Sequence, residues 1–286
     1  VKHLVLGSAG QIGSALVEFL KVNGEEVLEF DIVRSPDEDL RIPRNPLLLQ
    51  KLEECDFVHF LAFDVGGSRY LREYQHSYEF VANNTRIMAN TFEALKQTRR
   101  PFLFASSQMS NMVFSPYGAL KAVGEAYTRA LDGLVVKFWN VYGVERDREK
   151  SHVITDFIRK ARDTRVIDML TDGSEERQFL YSRDCAECLL ELSRRYNELD
   201  RQQEWHITSF EWTSIMDVAR LVAEIYPGTQ IKPGRAGDSV QKGLKNEPDP
   251  YILKIWRPKT SLRQGIAEIA ARLEQLDLGV GRTNGD

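Results

Sequence analysis

The chain is short of cysteine, of long apolar runs and of excess positive charge, and each shortage closes off a class of function. Three cysteines in 286 residues make an odd count with no disulfide framework, which points to a reducing compartment, the cytosol. No apolar stretch approaches the roughly 20 residues that a bilayer-spanning helix needs, so no membrane association is expected. The chain enters a strand pattern at once, His3-Leu4-Val5-Leu6, with no charged leader ahead of an apolar segment. A net charge of −4 argues against a nucleic-acid partner. The five histidines stand at no metal-ligand spacing. Cys185 and Cys188 form a Cys-x-x-Cys, but no second pair completes a zinc site, so both read as packing residues at the start of an amphipathic helix. No metal is expected, and there is neither an internal repeat nor a low-complexity segment.

What is present is an α/β pattern. An apolar strand, Val1 to Leu6, runs into Gly7-Ser8-Ala9-Gly10-Gln11-Ile12-Gly13 and then a helix to about Val22. Glycines at 7, 10 and 13 in a strand-to-helix turn allow a tight bend, close approach of a pyrophosphate and close helix–strand packing. The phosphates would meet the helix N-terminus, with Gln11 and Ile12 in the turn. A second strand, Glu26 to Phe30, ends at Asp31, 18 positions after Gly13. A carboxylate there accepts from ribose hydroxyls and repels a 2′-phosphate, which favours NAD over NADP, although Arg34 stands nearby. A helix over Leu47–Glu54, a strand over Cys55–Ala62, a break at Gly66-Gly67 and a long helix carrying Asn83 and Asn84 follow.

The stretch Ser106 to Lys121 carries the chemistry. A buried strand, Phe102 to Ala105, delivers Ser106 and Ser107 at its end, and Pro116 stands just before a helix from Tyr117 to Leu131. Tyr117 and Lys121, four apart, share one face of that helix. A phenol titrates near 10, too high for a base at neutral pH, and a neighbouring ammonium is expected to lower it. A serine hydroxyl can then hydrogen-bond the substrate oxygen that loses or gains a proton. Beyond Gly143 a charged run, Glu145 to Lys150, reads as a solvated loop at the edge of the cleft. Helices near Val153–Asp163, Thr213–Ile225 and Thr260–Leu276, a strand around Val166–Leu170 and a turn at Asp172-Gly173 follow, and the tail from Gly279 to Asp286 reads as frayed.

With these residues the chain resembles the extended short-chain dehydrogenase/reductases, in their NAD-dependent nucleotide-sugar epimerase/dehydratase branch. The resemblance is carried by Gly7-x-x-Gly10-x-x-Gly13, Asp31, Asp39-Leu40, His59-Phe60-Leu61-Ala62, Asn84, Ser107 with Tyr117-x-x-x-Lys121, and Trp139-Asn140-Val141-Tyr142-Gly143. Arg177-Gln178-Phe179, Arg235-Ala236-Gly237-Asp238 and Pro258-x-Thr260-Ser261-Leu262-x-x-Gly265 extend it in the family's order over nearly the whole chain. It implies a Rossmann-type doubly wound parallel sheet with a smaller carboxy-terminal α/β substrate lobe. Residues 1–143 would hold NAD, with 178–207 returning to that domain, while 144–177 and 208–286 would form the substrate lobe. Ser107, Tyr117 and Lys121 would be catalytic, with Tyr117 and Lys121 also holding the nicotinamide side. Asp39, Leu40, Leu61, Ala62 and Asn84 would line the dinucleotide. Asn140, Arg177 and Arg235 would bind the diphosphate of the sugar nucleotide, a task suited to guanidinium groups. A homodimer through helices near 84–97 and 117–131 is implied in the same way.

The departures narrow the reaction. Ser107 is followed by Gln108 and Met109, so the Asp-Glu pair of the 4,6-dehydratases and the glutamate of the decarboxylases are missing. Met109 also stands where the GDP-mannose 3,5-epimerases have their cysteine, and Ser107 and Tyr117 are only ten apart, a shorter connection than the family's usual one. The expectation is a nucleotide-sugar epimerase that inverts carbon 4 through a 4-keto intermediate with tightly held NAD. The alternatives are a nucleotide-sugar 4-ketoreductase or dehydratase and, in a different class, a non-catalytic NAD-binding sensor or complex subunit.

Overall fold

The computed structural model describes residues 1–280 except 146 and 239, with no side chains described for 277–280. The tail expected to fray therefore lies outside the described residues from 281 on, as does Arg146 of the charged loop. The chain runs β1 (Lys2–Leu6), α1 (Gln11–Val22), β2 (Glu26–Phe30), α2 (Pro46–Glu54), β3 (Phe57–Phe60), α3 (Ser68–Tyr74), α4 (Tyr78–Thr98) and β4 (Phe102–Ser107). After a 3-10 turn (Gln108–Asn111) come α5 (Pro116–Ala130), β5 (Leu134–Phe138), β6 (Asn140–Tyr142), α6 (Val153–Thr164), β7 (Val166–Asp168), β8 (Glu176–Tyr181) and α7 (Ser182–Arg194). The last part is β9 (Glu204–Ile207), β10 (Trp212–Ser214), α8 (Ile215–Ile225), β11 (Gln230–Lys232) and α9 (Leu262–Val280).

Six parallel strands form the main sheet in the order β2-β1-β3-β4-β5-β9. Alternation along each strand covers both faces. From β1, Val5 packs with Leu16 and Leu20 of α1 and Cys185, Cys188 and Leu189 of α7. Its neighbours Leu4 and Leu6 join Leu48 and Leu52 of α2, Phe92 of α4 and Phe104 of β4 on the opposite face. Burial pushes the Cys185 and Cys188 thiols well above their ordinary range, as inert packing groups require. This is the doubly wound α/β class expected from the sequence.

A second core lies beside the sheet. There α6, α8 and α9 bury Phe157, Ile158, Val218, Val222, Ile266 and Ile269 around a three-stranded sheet, β10-β8-β6, and a two-stranded one, β11-β7. Asp184, on α7, ties the start of α9 to the first body: its carboxylate accepts from Lys259 N (2.8 Å), Thr260 N (2.7 Å) and Thr260 Oγ1 (2.8 Å).

Two elements differ from expectation. A separate helix, α3, precedes the long α4, because Ser77 caps α4 by accepting the Phe80 N–H at 3.2 Å and so sets its start there. Arg177, in a polar stretch to which the sequence reading assigned no strand, lies on β8, paired with Thr213 of β10.

Candidate active site

The strand order reverses between β1 and β3, which lie on either side of the point where the chain turns from one half of the sheet to the other. Ligands of such sheets settle outside the carboxyl ends of the strands there. A cleft of about 1540 Å³ occupies that position, running from the glycine turn past β4 to the second core. It exceeds the roughly 300–1,000 Å³ of a single small-molecule pocket, so it has room for two ligands end to end.

At one end Gly7 takes a left-handed φ of +87°, and a Cβ there would lie 2.8 Å from the Ala62 backbone. A Cβ on Gly13 would lie 2.0 Å from the Gly7 carbonyl oxygen, so helix and turn pack backbone to backbone. Gly10 caps α1 without a side chain, leaving the first-turn N–H groups facing the cleft. The Ser8 hydroxyl, buried in the same turn, has no partner within the protein. These features fit a pyrophosphate, which would accept from all of them.

Asp31 holds the turn from the side: its carboxylate accepts from Ala9 N and Val33 N, both at 2.9 Å. Two oxygens offer about four acceptor sites, so capacity remains for ribose hydroxyls. Arg34, which also lines the cleft, is paired with Glu29 at 2.7 Å. Gln11, Ile12, Asp39, Leu40, Leu61 and Ala62 all line the cleft. Asn84 does not. It is buried beneath the wall, where its amide accepts from Asp64 N (2.7 Å) and donates to Asp64 O (3.0 Å).

At the centre, β4 ends in Ser107 and α5 presents Tyr117 and Lys121. Pro116 opens α5, and the Ser115 hydroxyl accepts the Gly118 N–H at 3.3 Å, which sets the register of the helix. Ser107, whose Oγ accepts the Met109 N–H at 3.1 Å, stands beside the Tyr117 phenol and favours its ionised form. Lys121 is buried, donates to the Ala105 carbonyl at 2.6 Å and stands 3.8 Å from the Phe63 ring centroid. Phe63 in turn meets Tyr117 edge-on at 5.8 Å.

The expected lowering of the phenol pKa is not what this environment produces. Burial raises Tyr117 above its ordinary value, and the neighbouring Ser107 side chain only partly opposes it. Burial also brings Lys121 down to about 7, against the pull of Glu125 one turn further along α5. Glu125, itself buried, accepts from Ser106 Oγ at 2.5 Å, so Ser106 supports the helix while Ser107 faces the phenol.

The short Ser107–Tyr117 connection is roofed from the second body. Val240 joins Met109, Met112 and Tyr117 in one apolar cluster, and Asn246 donates to the Gln108 carbonyl at 2.6 Å. Arg177 lines the cleft and pairs with Asp238 at 2.6 Å, while Asn140 lines it from β6. Arg235 is exposed and does not line the cleft, so the expected pair of arginines is not brought together.

Sequence reasoning missed three wall groups. Asp64 accepts from Tyr70 (2.9 Å) and Lys150 (2.9 Å), and Glu145 and His152 lie against each other in the loop read as solvated. Glu145 is in fact buried. Only the position of this loop directly after the Asn140–Gly143 motif could have marked it. Among the described residues no cluster of metal-ligating side chains occurs, and no helix is long and apolar enough to cross a membrane.

Residues 3–208 match the model of the NAD-dependent epimerase/dehydratase family, and the chain belongs to that enzyme family. It is similar to a GDP-L-fucose synthase of Sinorhizobium fredii, 30% identical over 45% of this chain and 43% of that protein. It is also similar to a dTDP-L-rhamnose 4-epimerase of Burkholderia thailandensis, 28% identical over 56% of this chain and 47% of the relative. The chain thus spans under half the length of either relative. In fold it resembles a GDP-6-OMe-4-keto-L-xylo-heptose reductase from C. jejuni, with a TM-score of 0.83 at 17% identity over 96% of this chain and 98% of the other.

Proposed function

We propose that this chain is a nucleotide-sugar epimerase that inverts carbon 4 with NAD held tightly. The observation that carries the reading is the placement of Ser107, Tyr117 and Lys121 in the same cleft as the glycine turn. A proton handled at Tyr117 and a hydride handled beside it then concern one substrate carbon and its oxygen. Residues 1–143 with 178–207 form the NAD-holding body, and 144–177 with 208–286 the body that holds the sugar nucleotide. Asp31 would hold the adenosine ribose, Asp39 and Leu40 the adenine side, and the turn from Gly7 to Gly13 the pyrophosphate.

NAD held on the turn from Gly7 to Gly13 would supply the hydride acceptor and donor for carbon 4. Tyr117 moves the proton on the carbon-4 oxygen and Ser107 holds that oxygen. Arg177 and Asn140 anchor the diphosphate, which leaves the sugar free to turn over. Exposed Tyr78 and Val81 of α4 and Val123 and Tyr127 of α5 supply the apolar face for a homodimer.

Ketone reduction on the same substrate class is the second reading, favoured by the burial that keeps the Tyr117 phenol protonated and ready to donate. One experiment separates the two. The purified protein is incubated with UDP-, GDP-, CDP- and dTDP-sugars, with no cofactor added, while the sugar protons are followed by NMR. A carbon-4 epimer is the expected product. Turnover of a 4-keto sugar that requires added NADH or NADPH would replace epimerase by reductase, and an unchanged panel under both conditions would sink both.

A further inference from the structure

We infer that the sugar held in this cleft carries a methyl group at carbon 6. Its substrates are then nucleotide-linked 6-deoxyhexoses or their 4-keto forms, rather than hexoses with a hydroxymethyl group or uronic acids. The inference rests on the reading of the cleft as a site where Tyr117 handles the oxygen on carbon 4.

The wall around the phenol is apolar. Phe63, Val65, Met109 and Val240 line the cleft, and all four belong to the apolar cluster in which Tyr117 packs. They come from three parts of the chain: the segment after β3, the 3-10 turn after β4, and the roof supplied by the second body.

Met109 is fixed in its place. Its N–H donates to Ser107 Oγ at 3.1 Å, and its carbonyl accepts from Met112 N at 2.8 Å. A Cβ on Gly118 would strike that same carbonyl, so the turn and the helix that carries Tyr117 pack backbone to backbone. The side chain is buried, at 5% exposure.

The polar groups around this wall already have partners. Gln108 Oε1 accepts from Asn246 at 2.9 Å. With its amide turned so that the oxygen accepts, Gln241 meets Gln108 Nε2 at 2.8 Å and Arg177 Nε at 3.2 Å. Among the cations lining the cleft, Arg177 pairs with Asp238 at 2.6 Å, Lys150 with Asp64 at 2.9 Å and His152 with Glu145 at 2.5 Å. Lys121 is buried against the Ala105 carbonyl.

These placements select among sugars. With carbon 4 at Tyr117, its ring neighbours are carbons 3 and 5. In an ordinary hexose carbon 3 bears a hydroxyl, which needs a polar partner, so carbon 6, borne on carbon 5, is the substituent that can suit an apolar wall. A methyl loses only water there. A hydroxymethyl group leaves its hydroxyl desolvated and unpaired, and a carboxylate is costlier still to bury without a free cation.

The test holds the nucleotide constant and varies carbon 6 alone. NAD-loaded protein is titrated calorimetrically with dTDP- and UDP-linked 6-deoxyglucose, glucose and glucuronic acid, and with GDP-linked 6-deoxymannose, mannose and mannuronic acid. In the series that binds, the 6-deoxy sugar should bind roughly 10- to 100-fold more tightly than the hexose, with the uronic acid weaker again. Met109→Gln, close in size but polar, and Val240→Thr should each narrow that ratio with melting and cofactor retention unchanged. A merely structural role would weaken all sugars alike and leave the ratio as it was.

A hexose or uronic acid bound as tightly as the 6-deoxy sugar overturns the inference, and so does a ratio untouched by both substitutions. Failure to bind any of these sugars overturns it together with the nucleotide-sugar reading. Carbon-4 inversion without the preference would overturn the methyl assignment alone. The preference without inversion or ketone reduction would overturn the proposed reaction alone.

Discussion

At the residue scale the catalytic set depends on burial more than on charge. Tyr117→Phe removes the transferable proton and keeps the ring against Phe63, so turnover should fall by about 10²–10⁴-fold with nucleotide retained, read by NMR and by the absorbance of the released cofactor. Lys121 makes a testable contribution to stability. Its folded pKa, about 7, lies below the unfolded value near 10.4, so between these pH values the unfolded chain binds more protons and stability rises with pH. Urea unfolding should show wild type gaining on Lys121→Met from pH 7 toward pH 10; parallel curves would refute the burial argument. Tyr117 and Lys121 were legible because helical spacing puts them on one face. The roles of Asn84 and Arg235 were not, since nothing local says that one points under the wall and the other into solvent.

At the scale of elements, the long and strongly patterned pieces were read correctly: β1 with its glycine turn, β2, α4, α5 and α6. Most of the short strands of the second body escaped. β8 begins Glu176-Arg177-Gln178, a polar run that looks like a loop, and its apolar half, Phe179 to Tyr181, is buried only because β6 and β10 lie on either side. β10 and β11 have three residues each, too few for a period to show, whereas β7 falls within the strand read around Val166–Leu170. The glycine turn provides the test at this scale. In Gly13→Ala the new methyl meets the Gly7 carbonyl, backbone against backbone, so α1 must move off the turn. A loss of about 1–3 kcal/mol is expected, accompanied by release of bound nucleotide. A variant that melts like wild type and keeps its cofactor would show that the helix tolerates the shift.

At the scale of the molecule, a single carboxylate fastens the two bodies at one point. Asp184 receives three hydrogen bonds from Lys259 and Thr260 at the entry to α9. Its replacement by Ala should cost about 3 kcal/mol, the worth of one or two hydrogen bonds to a charged group. That corresponds to a fall in melting temperature of about 6–12 °C in thermal unfolding. Asp184→Asn keeps one acceptor and should recover roughly half the loss. The sequence motif Pro258-x-Thr260-Ser261 was visible, but the partner that gives it meaning lies 76 positions earlier, beyond any local pattern.

The roof over the catalytic loop has a consequence for how such a chain can change. Val240 and Asn246 close the short Ser107–Tyr117 connection from a segment more than a hundred positions away, so loop and roof form one fitted pair. Grafting a longer relative's loop alone would collide with the roof, and importing its roof alone would leave the phenol open to water. Divergence of the reaction along this lineage is therefore constrained to paired exchanges, and chimeras should recover folding and activity only when both segments come from the same parent.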